Sequence, residues 1–153
     1  FYSLTQVPRP SGYLKKVHDH YFTENYSPKL LFKEVTEAYI QGAEVLSGGI
    51  GGFGQAIPAG YHRYKVDWFW CTQFIVVYNR FFDKMLDYSF QNTDTADGVI
   101  SKLATNKMVI YPFISEQKDF GYSDVTQSNM EQQGKIREHF ARANKQMKLI
   151  SLK

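Results

Sequence analysis

The sequence predicts a mostly α-helical protein, in which a long amphipathic helix continues into a glycine-seamed membrane helix. Three observations support this fold class. Small residues recur at helical spacing through residues 43–61, an aromatic segment with helical spacing follows them, and the C-terminal segment combines an apolar stripe with basic faces. The predicted parts are an extended N-terminal arm (1–26), an amphipathic and then membrane-embedded helix (27–65), an interfacial or partly buried aromatic helix (66–90), an irregular region (91–122) and a basic C-terminal helix (123–153).

Composition limits the classes of protein to which the chain can belong. A mean hydropathy of -0.40 and 22% charged residues exclude a polytopic membrane protein but allow isolated embedded segments. A net charge of +3 is too small to indicate nucleic acid as a partner. The single cysteine, Cys71, excludes an intrachain disulfide framework. The aromatic content of 16% is high, which is typical of large buried contacts and of membrane interfaces.

Ser27 and Pro28 predict the start of the long helix. A serine side chain can cap the free amide groups of a first turn, and proline fits that turn because its missing N–H is not needed there. The apolar stripe that follows continues into the glycine-rich stretch without a change of period. Its members are Leu31, Val35, Ala38, Tyr39, Gly42, Ala43 and Leu46.

A ridge of small residues, here called the glycine seam, consists of Gly48, Gly52, Ala56 and Gly60. On a helix these residues lie on one side and let a partner helix approach closely, so we expect a helix-packing interface there. No charge interrupts residues 45–61, whose length is near the lower limit of ~17 residues for spanning a bilayer. The sequence therefore predicts a membrane helix at this position.

Two short motifs favour other interpretations. Residues 49–54 match the G-x-G-x-x-G pattern of a dinucleotide loop, which requires a strand before it and a helix after it. A helix-like segment precedes the motif and Pro58 follows it, so we interpret the match as incidental. His18 and His20 share a face only on a strand, and no further ligands stand at a recognisable spacing. We therefore expect neither a metal nor a cofactor.

A basic and aromatic cluster directly follows the uncharged stretch, and a pair of tryptophans follows the cluster. Such residues are typical of the boundary between lipid headgroups and water. The tryptophans fall in the second predicted helix, where we expect them to anchor it at the interface. The predicted headgroup or interface contacts are Tyr61, Arg63, Tyr64, Lys65, Trp68 and Trp70.

The C-terminal segment predicts an amphipathic helix with a cap at Ser123 or Asp124. Its apolar stripe consists of Ile136, Phe140, Ala143, Met147 and Ile150, and its basic residues are Lys135, Arg137, Arg142, Lys145, Lys148 and Lys153. Such a helix binds an anionic membrane surface or an acidic partner helix, or packs on its own protein with its basic faces in water. Before it, the apolar run at residues 108–114 is either a strand or a docking segment.

Three short motifs, at residues 33–35 (KEV), 44–46 (EVL) and 54–61 (GQAIPAGY), are similar to a known family. In this order they resemble the C-terminal membrane helix of subunit g of mitochondrial ATP synthase, and GYHRYK at residues 60–65 is similar to a stretch of subunit f. The resemblance implies a membrane-embedded accessory subunit at the dimer interface of that complex. It also implies that Gly48, Gly52 and Ala56 pack on a partner helix without any catalysis of their own.

We therefore expect a non-catalytic accessory subunit of a mitochondrial inner-membrane complex, specifically the membrane region of the ATP synthase, with a scaffolding role. The first residues, FYSL, are similar to what remains after a mitochondrial presequence is removed. The expected partners are other subunits and membrane lipids such as cardiolipin, and not nucleic acid. Two alternatives stay open: an accessory subunit of a respiratory-chain complex, and a soluble nucleotide- or metal-dependent enzyme.

Overall fold

Helices and strands alternate along the chain in the computed structural model, which describes residues 20–118 and 135–152. The strands are β1 (His20–Phe22), β2 (Val45–Ser47), β3 (Ala56–Pro58), β4 (Arg63–Val66), β5 (Ile75–Val77), β6 (Lys107–Ile110) and β7 (Ser115–Gln117). The helices are α1 (Pro28–Ile40), α2 (Phe82–Leu86), α3 (Ala96–Leu103) and α4 (Lys135–Ser151), and a 3-10 turn (Asn79–Phe81) leads into α2. The fold class is therefore mixed α/β, and the prediction of a mostly α-helical protein is wrong.

Five strands form the central sheet in the order β3-β4-β6-β2-β5. Strands β2 and β6 are parallel, whereas β2 pairs with β5, and β4 with both β3 and β6, in antiparallel fashion. A separate two-stranded antiparallel sheet joins β1 to β7. The carboxyl ends of the parallel pair lead into the glycine-rich stretch and into the segment before β7.

Helices cover the central sheet on both faces. Because side chains alternate along a strand, Leu46 and Val45 of β2 point to opposite faces. Helix α1 covers one face, where the core consists of Ala38, Ala43, Leu46, Tyr78, Met108, Ile110 and Ile114. The other face carries the larger core, to which α3 and α4 contribute Ile100, Phe140, Ala143 and Met147.

The predicted long helix begins as expected but ends much earlier. Ser27 Oγ accepts a hydrogen bond of 3.1 Å from the Leu30 amide, and Pro28 occupies the first turn, so the predicted start is confirmed. Helix α1 ends at Ile40, and Gly42 follows it in the left-handed conformation with a φ of 77°. The chain then enters β2, and the prediction of a continuous helix over residues 27–65 is wrong.

The glycine seam does not form a helical ridge. Gly48 follows β2, Gly52 makes an isolated bridge with Trp70, Ala56 begins β3, and Gly60 lies in the turn between β3 and β4. The recurrence of small residues thus reflects separate turns and strands. Within the described residues, no helix combines the length and the apolarity needed to cross a membrane. The predicted glycine-seamed membrane helix is therefore not part of this fold.

The glycine-rich stretch is instead a closely packed turn in the core. A Cβ atom on Gly49 would lie 2.0 Å from the Ser115 carbonyl oxygen, and one on Gly48 would lie 2.6 Å from the Phe74 ring. The backbone N–H groups of Ile114 and Ser115 both donate to the Gly48 carbonyl oxygen, at 2.8 Å and 3.1 Å. Glycine is required here because residues 113–115 lie directly against the backbone of the turn.

The aromatic segment over residues 66–90 is not a helix either. It contains the end of β4, strand β5, the 3-10 turn and the short helix α2. Cys71 has a φ of 71°, a left-handed conformation that does not occur inside a right-handed helix. The β-branched residues of β5 pair with β2, and this preference for a strand outweighs the helical spacing of the aromatic side chains.

The remaining predictions differ in their outcome. Residues 91–118 contain α3, β6 and β7 where we expected irregular structure, and the apolar run from residue 108 lies partly in strand β6. Helix α4 confirms the C-terminal helix from residue 135 onward, and its predicted stripe is buried or half-buried. The predicted cap at Ser123 or Asp124 lies outside the described residues. Most of the N-terminal arm lies outside them as well, and its last part contains β1.

We expect Gly49→Ala to destabilise the protein by about 2–3 kcal/mol, because a methyl group 2.0 Å from the Ser115 carbonyl oxygen forces the backbone to move. Gly52→Ala is the matched control, since its Cβ would lie 3.4 Å from the Trp68 ring, an ordinary contact. Urea unfolding followed by circular dichroism gives both free energies of unfolding. Equal effects of the two substitutions would contradict the packed turn.

Candidate functional site

The residues that follow the glycine-rich stretch, which we predicted to contact lipid headgroups, do not share one surface. Strand β4 places Arg63 on the face covered by α1 and Tyr64 on the opposite face. Arg63 is 1% exposed and Tyr64 is 6% exposed, so neither side chain is available to headgroups in this fold. Tyr61, in the turn between β3 and β4, is 85% exposed, and Lys65 is also exposed.

Arg63 is the centre of a buried ion cluster that joins β4 to α1. Its Nη1 atom donates to Glu34 Oε2 and, at 2.8 Å, to Glu37 Oε2. Glu34 is as buried as Arg63, whereas Glu37 is partly exposed. The hydrogen bond from Arg63 is the main cause that lowers the pKa of Glu37. One guanidinium thus serves two carboxylates, and the cluster holds α1 on the sheet.

Glu44 is a second buried carboxylate that holds elements of the fold together. Its Oε1 accepts a hydrogen bond from Lys84 Nζ at 2.6 Å, and its Oε2 accepts one from the Thr105 backbone N–H at 2.6 Å. Burial alone would raise the pKa of Glu44, but these hydrogen bonds outweigh burial and the pKa is lowered. The carboxylate therefore stays ionised and links the start of β2 to α2 and to the turn before β6.

The G-x-G-x-x-G match does not form a nucleotide site. Strand β2 precedes it, contrary to our sequence interpretation, but strand β3 follows where a helix is required. The Gly48 N–H donates to the Phe74 carbonyl oxygen, the Gly49 N–H donates to Ser47 Oγ, and residues 48–53 are buried. The buried stretch has no space for a phosphate group, and these backbone N–H groups are not free to bind one. This agrees with the interpretation of the match as incidental.

Cys71 has the strained backbone that is typical of some catalytic nucleophiles, but its thiol is not activated. Its φ is 71°, and its backbone N–H donates to Asp97 Oδ2 at 3.2 Å. Burial raises the pKa of the thiol to about 12, and the charge of Asp97 adds to the shift. The neighbouring His139 contacts Arg142 through its Nδ1 atom, at 3.2 Å. This geometry supports no cysteine chemistry.

Metal-ligating side chains are not gathered in the part of the chain that the structure describes. Across residues 20–118 and 135–152, no group of three or more histidine, cysteine, aspartate or glutamate side chains could hold an ion. His18 lies outside these residues. His20, in β1, packs against the rings of Phe22 and Phe74. The H-D-H motif therefore adds no metal site to the described fold.

Trp68 and Trp70 form an exposed aromatic surface, here called the tryptophan surface. Trp68 is 37% exposed and Trp70 is 50% exposed. Their ring centroids lie 5.6 Å apart, and the ring of Trp70 also lies 5.9 Å from that of His139 on α4. Phe69, between the two tryptophans, is fully buried. The chain is therefore extended here, with its tryptophans outward and its phenylalanine inward.

The loop that carries the tryptophan surface is fixed by hydrogen bonds. Asp67 Oδ1 accepts from the backbone N–H groups of Gly54, Gln55 and Trp68, at 3.0, 2.9 and 2.8 Å. Burial would raise the pKa of Asp67, but the backbone donors outweigh it and the pKa is lowered. The Phe69 N–H donates to a buried serine hydroxyl on α3 at 2.9 Å. The backbone that carries the two indoles is thus held in place before any partner arrives.

Sequence reasoning named both tryptophans but placed them on a helix. The order W-F-W, with a buried phenylalanine between two exposed indoles, has the two-residue period of an extended segment. That period was the signal that could have placed Trp68 and Trp70 side by side. The contact with His139 could not be found in this way, because it depends on how α4 packs on the sheet.

We expect Arg63→Met to lower the free energy of unfolding by about 3–5 kcal/mol, because it leaves the buried Glu34 carboxylate without its partner. Adding Glu34→Gln should restore part of this loss, since the buried negative charge is then removed. Lys65→Met, on the same strand but exposed, is the matched control and should change stability by less than ~0.5 kcal/mol. Denaturant unfolding tests all three, and a loss no larger than that of the control would contradict a structural ion cluster.

We expect Cys71 to react with iodoacetamide at pH 8 roughly a hundredfold or more slowly in the folded protein than in denaturant. The reason is that burial raises the pKa of its thiol from 9.0 to about 12, which lowers the thiolate fraction at every pH below the ordinary pKa. Because the chain has one cysteine, mass spectrometry of the intact chain measures this reaction directly. Alkylation at the denatured rate would show that the thiol is accessible and ionised.

The chain has no match among protein-family models, curated proteins or solved structures.

Proposed function

We propose that the protein is a non-catalytic accessory subunit that binds other proteins in a larger assembly. The proposal rests on the difference between the charged groups in the interior, which bind one another, and the aromatic groups at the surface, which are exposed. In the described residues, the buried charges of Arg63, Glu34 and Glu44 are used to join elements of the fold. Trp68 and Trp70, by contrast, lie at the surface on a fixed loop. Exposed tryptophans of this kind are typical of the residues that contribute most to binding a protein partner.

Further apolar side chains at the surface support the same function. Phe32 and Ile40 lie on one side of α1, two turns apart, and each is 75% exposed. Leu86, at the end of α2, is 81% exposed. A single exposed apolar residue is ordinary in a soluble domain, but a repeated one on a helix is typical of a contact face. A subunit with neighbours on more than one side would bury these residues.

We propose the mitochondrial ATP synthase as the assembly, with a respiratory-chain complex as the alternative. The support is the resemblance of residues 33–61 to subunit g. Because those residues do not form the membrane helix that the resemblance implied, the proposed position is at the surface of the inner-membrane complex. There the protein would contact other subunits and, through exposed residues such as Tyr61 and Lys65, lipid headgroups including those of cardiolipin.

A native extract tests this proposal. We expect the chain, tagged at its own locus and extracted in mild detergent, to migrate on native gels with a high-mass complex in stoichiometric amount. Mass spectrometry of that band then distinguishes the ATP synthase from a respiratory-chain complex. The control is the same extract after mild denaturation, in which the chain should run alone. Migration at the mass of the chain alone in every extraction would contradict an accessory subunit.

A further inference from the structure

We propose that the tryptophan surface and the adjoining side of α4 bind an acidic, extended segment of a partner protein. This inference rests on the proposed function and assigns a surface and a ligand chemistry to it. The adjoining side of α4 carries His139, which contacts Trp70, and Arg142, which contacts His139. One helical turn before His139, Lys135 lies on the same side. Indoles, an imidazole and two cations thus form one continuous surface.

The Trp68 ring lies along the loop and does not project from it. A Cβ atom on Gly52 would lie 3.4 Å from two atoms at the far end of the Trp68 ring, and one on Gly54 would lie 2.8 Å from its Nε1. The long edge of the ring therefore runs beside the backbone of residues 52–54. Trp68 and Trp70 are tilted by 48° to each other, so together they form a shallow apolar step on which a peptide chain can lie.

Charge identifies the occupant as acidic. Lys135 and Arg142 are exposed, and neither makes an ion pair within 4.0 Å to a carboxylate of the described residues. Glu138, three residues after Lys135 and four before Arg142, makes no ion pair within 4.0 Å with either of them. Asp67, the carboxylate nearest Trp68, is already occupied by three backbone N–H groups. Within the described residues, Lys135 and Arg142 are therefore cations without an ion pair, and they complement carboxylates on a partner.

A protein segment fits these observations better than a bilayer or a nucleic acid. Indoles that anchor a protein in a bilayer project from the surface, whereas the ring of Trp68 lies with one edge along its own loop and is 37% exposed. Bases of single-stranded nucleic acid need separate aromatic platforms along a longer basic groove. Here the two rings contact each other, and the net charge of the chain is only +3. An apolar step beside a few cations matches an acidic peptide with interspersed apolar residues.

Intrinsic fluorescence reports directly on this surface, because Trp68 and Trp70 are the only tryptophans of the chain. The probe is a synthetic peptide of alternating glutamate and leucine, compared with a lysine and leucine peptide of equal length. We expect a saturable blue shift with the acidic peptide that weakens as salt is added. Arg142→Glu should weaken binding at least about tenfold. Lys148→Glu is the matched control on another side of α4 and should bind within about twofold of the unsubstituted protein.

Several results would overturn the inference. These are the absence of a shift with the acidic peptide, an equal shift with the basic peptide, and equal losses for Arg142→Glu and Lys148→Glu. The inference would also be overturned if vesicles containing cardiolipin, or an oligothymidine, produced the shift and the acidic peptide did not. Trp70→Ala keeps Trp68 as a reporter and should abolish binding, while circular dichroism confirms that each variant is folded.

Native gels separate this inference from the proposed function. If the unsubstituted chain migrates with a complex and Arg142→Glu and Trp70→Ala are released while Lys148→Glu stays bound, both are supported. If all variants stay bound, the accessory role stands and this docking surface is wrong. If the unsubstituted chain itself migrates alone, the proposed function is wrong, whatever the peptide titration shows.

Discussion

The close approach of residues 48–49 to residues 113–115 is the constraint on which the described fold depends. Strands β2 and β6 run parallel and end at this point, and β7 begins there. The Gly48 carbonyl oxygen accepts two backbone hydrogen bonds, from Ile114 and Ser115, while Gln73 Nε2 donates to the Gly49 carbonyl oxygen at 3.0 Å. One contact between backbones therefore sets the distance between the central sheet and the β1–β7 sheet. A side chain at Gly49 would separate them.

The buried charges have a comparable role elsewhere in the sheet. Arg63 and Glu34 hold α1 to β4, and Glu44 holds the start of β2 to Lys84 and to residues 105–106. Each pair joins elements that are far apart in sequence. Removing one partner leaves a buried charge without compensation, which is why a single substitution is expected to cost more than a double one. These charged groups already bind one another inside the fold. A partner protein is therefore expected to bind to residues at the surface.

Local signals in the sequence predicted what is local in the structure. The Ser27 cap and the apolar stripe of α4 depend on neighbouring residues and on one packing face, and both are found. The glycine seam failed because helical spacing says nothing about pairing between distant strands. Gly49 is needed by Ser115 and Gly52 pairs with Trp70, and neither partner can be deduced from residues 43–61 alone. Likewise, the sequence predicted Arg63 as a headgroup contact. Its ion pair with Glu34 could not be predicted, because it depends on how α1 packs on the sheet.

The same packed turn explains why the tryptophan surface suits binding. Gly52 pairs with Trp70, and Gly54 donates to Asp67, so the glycine-rich stretch holds the indole loop from one side. From the other side, the Cys71 N–H donates to Asp97 on α3. A loop fixed in this way loses little conformational entropy when a partner binds, because its backbone is ordered beforehand. Gly52, which the predicted membrane helix would have used for packing, thus acts indirectly in this fold, because it positions the loop that carries the two indole rings.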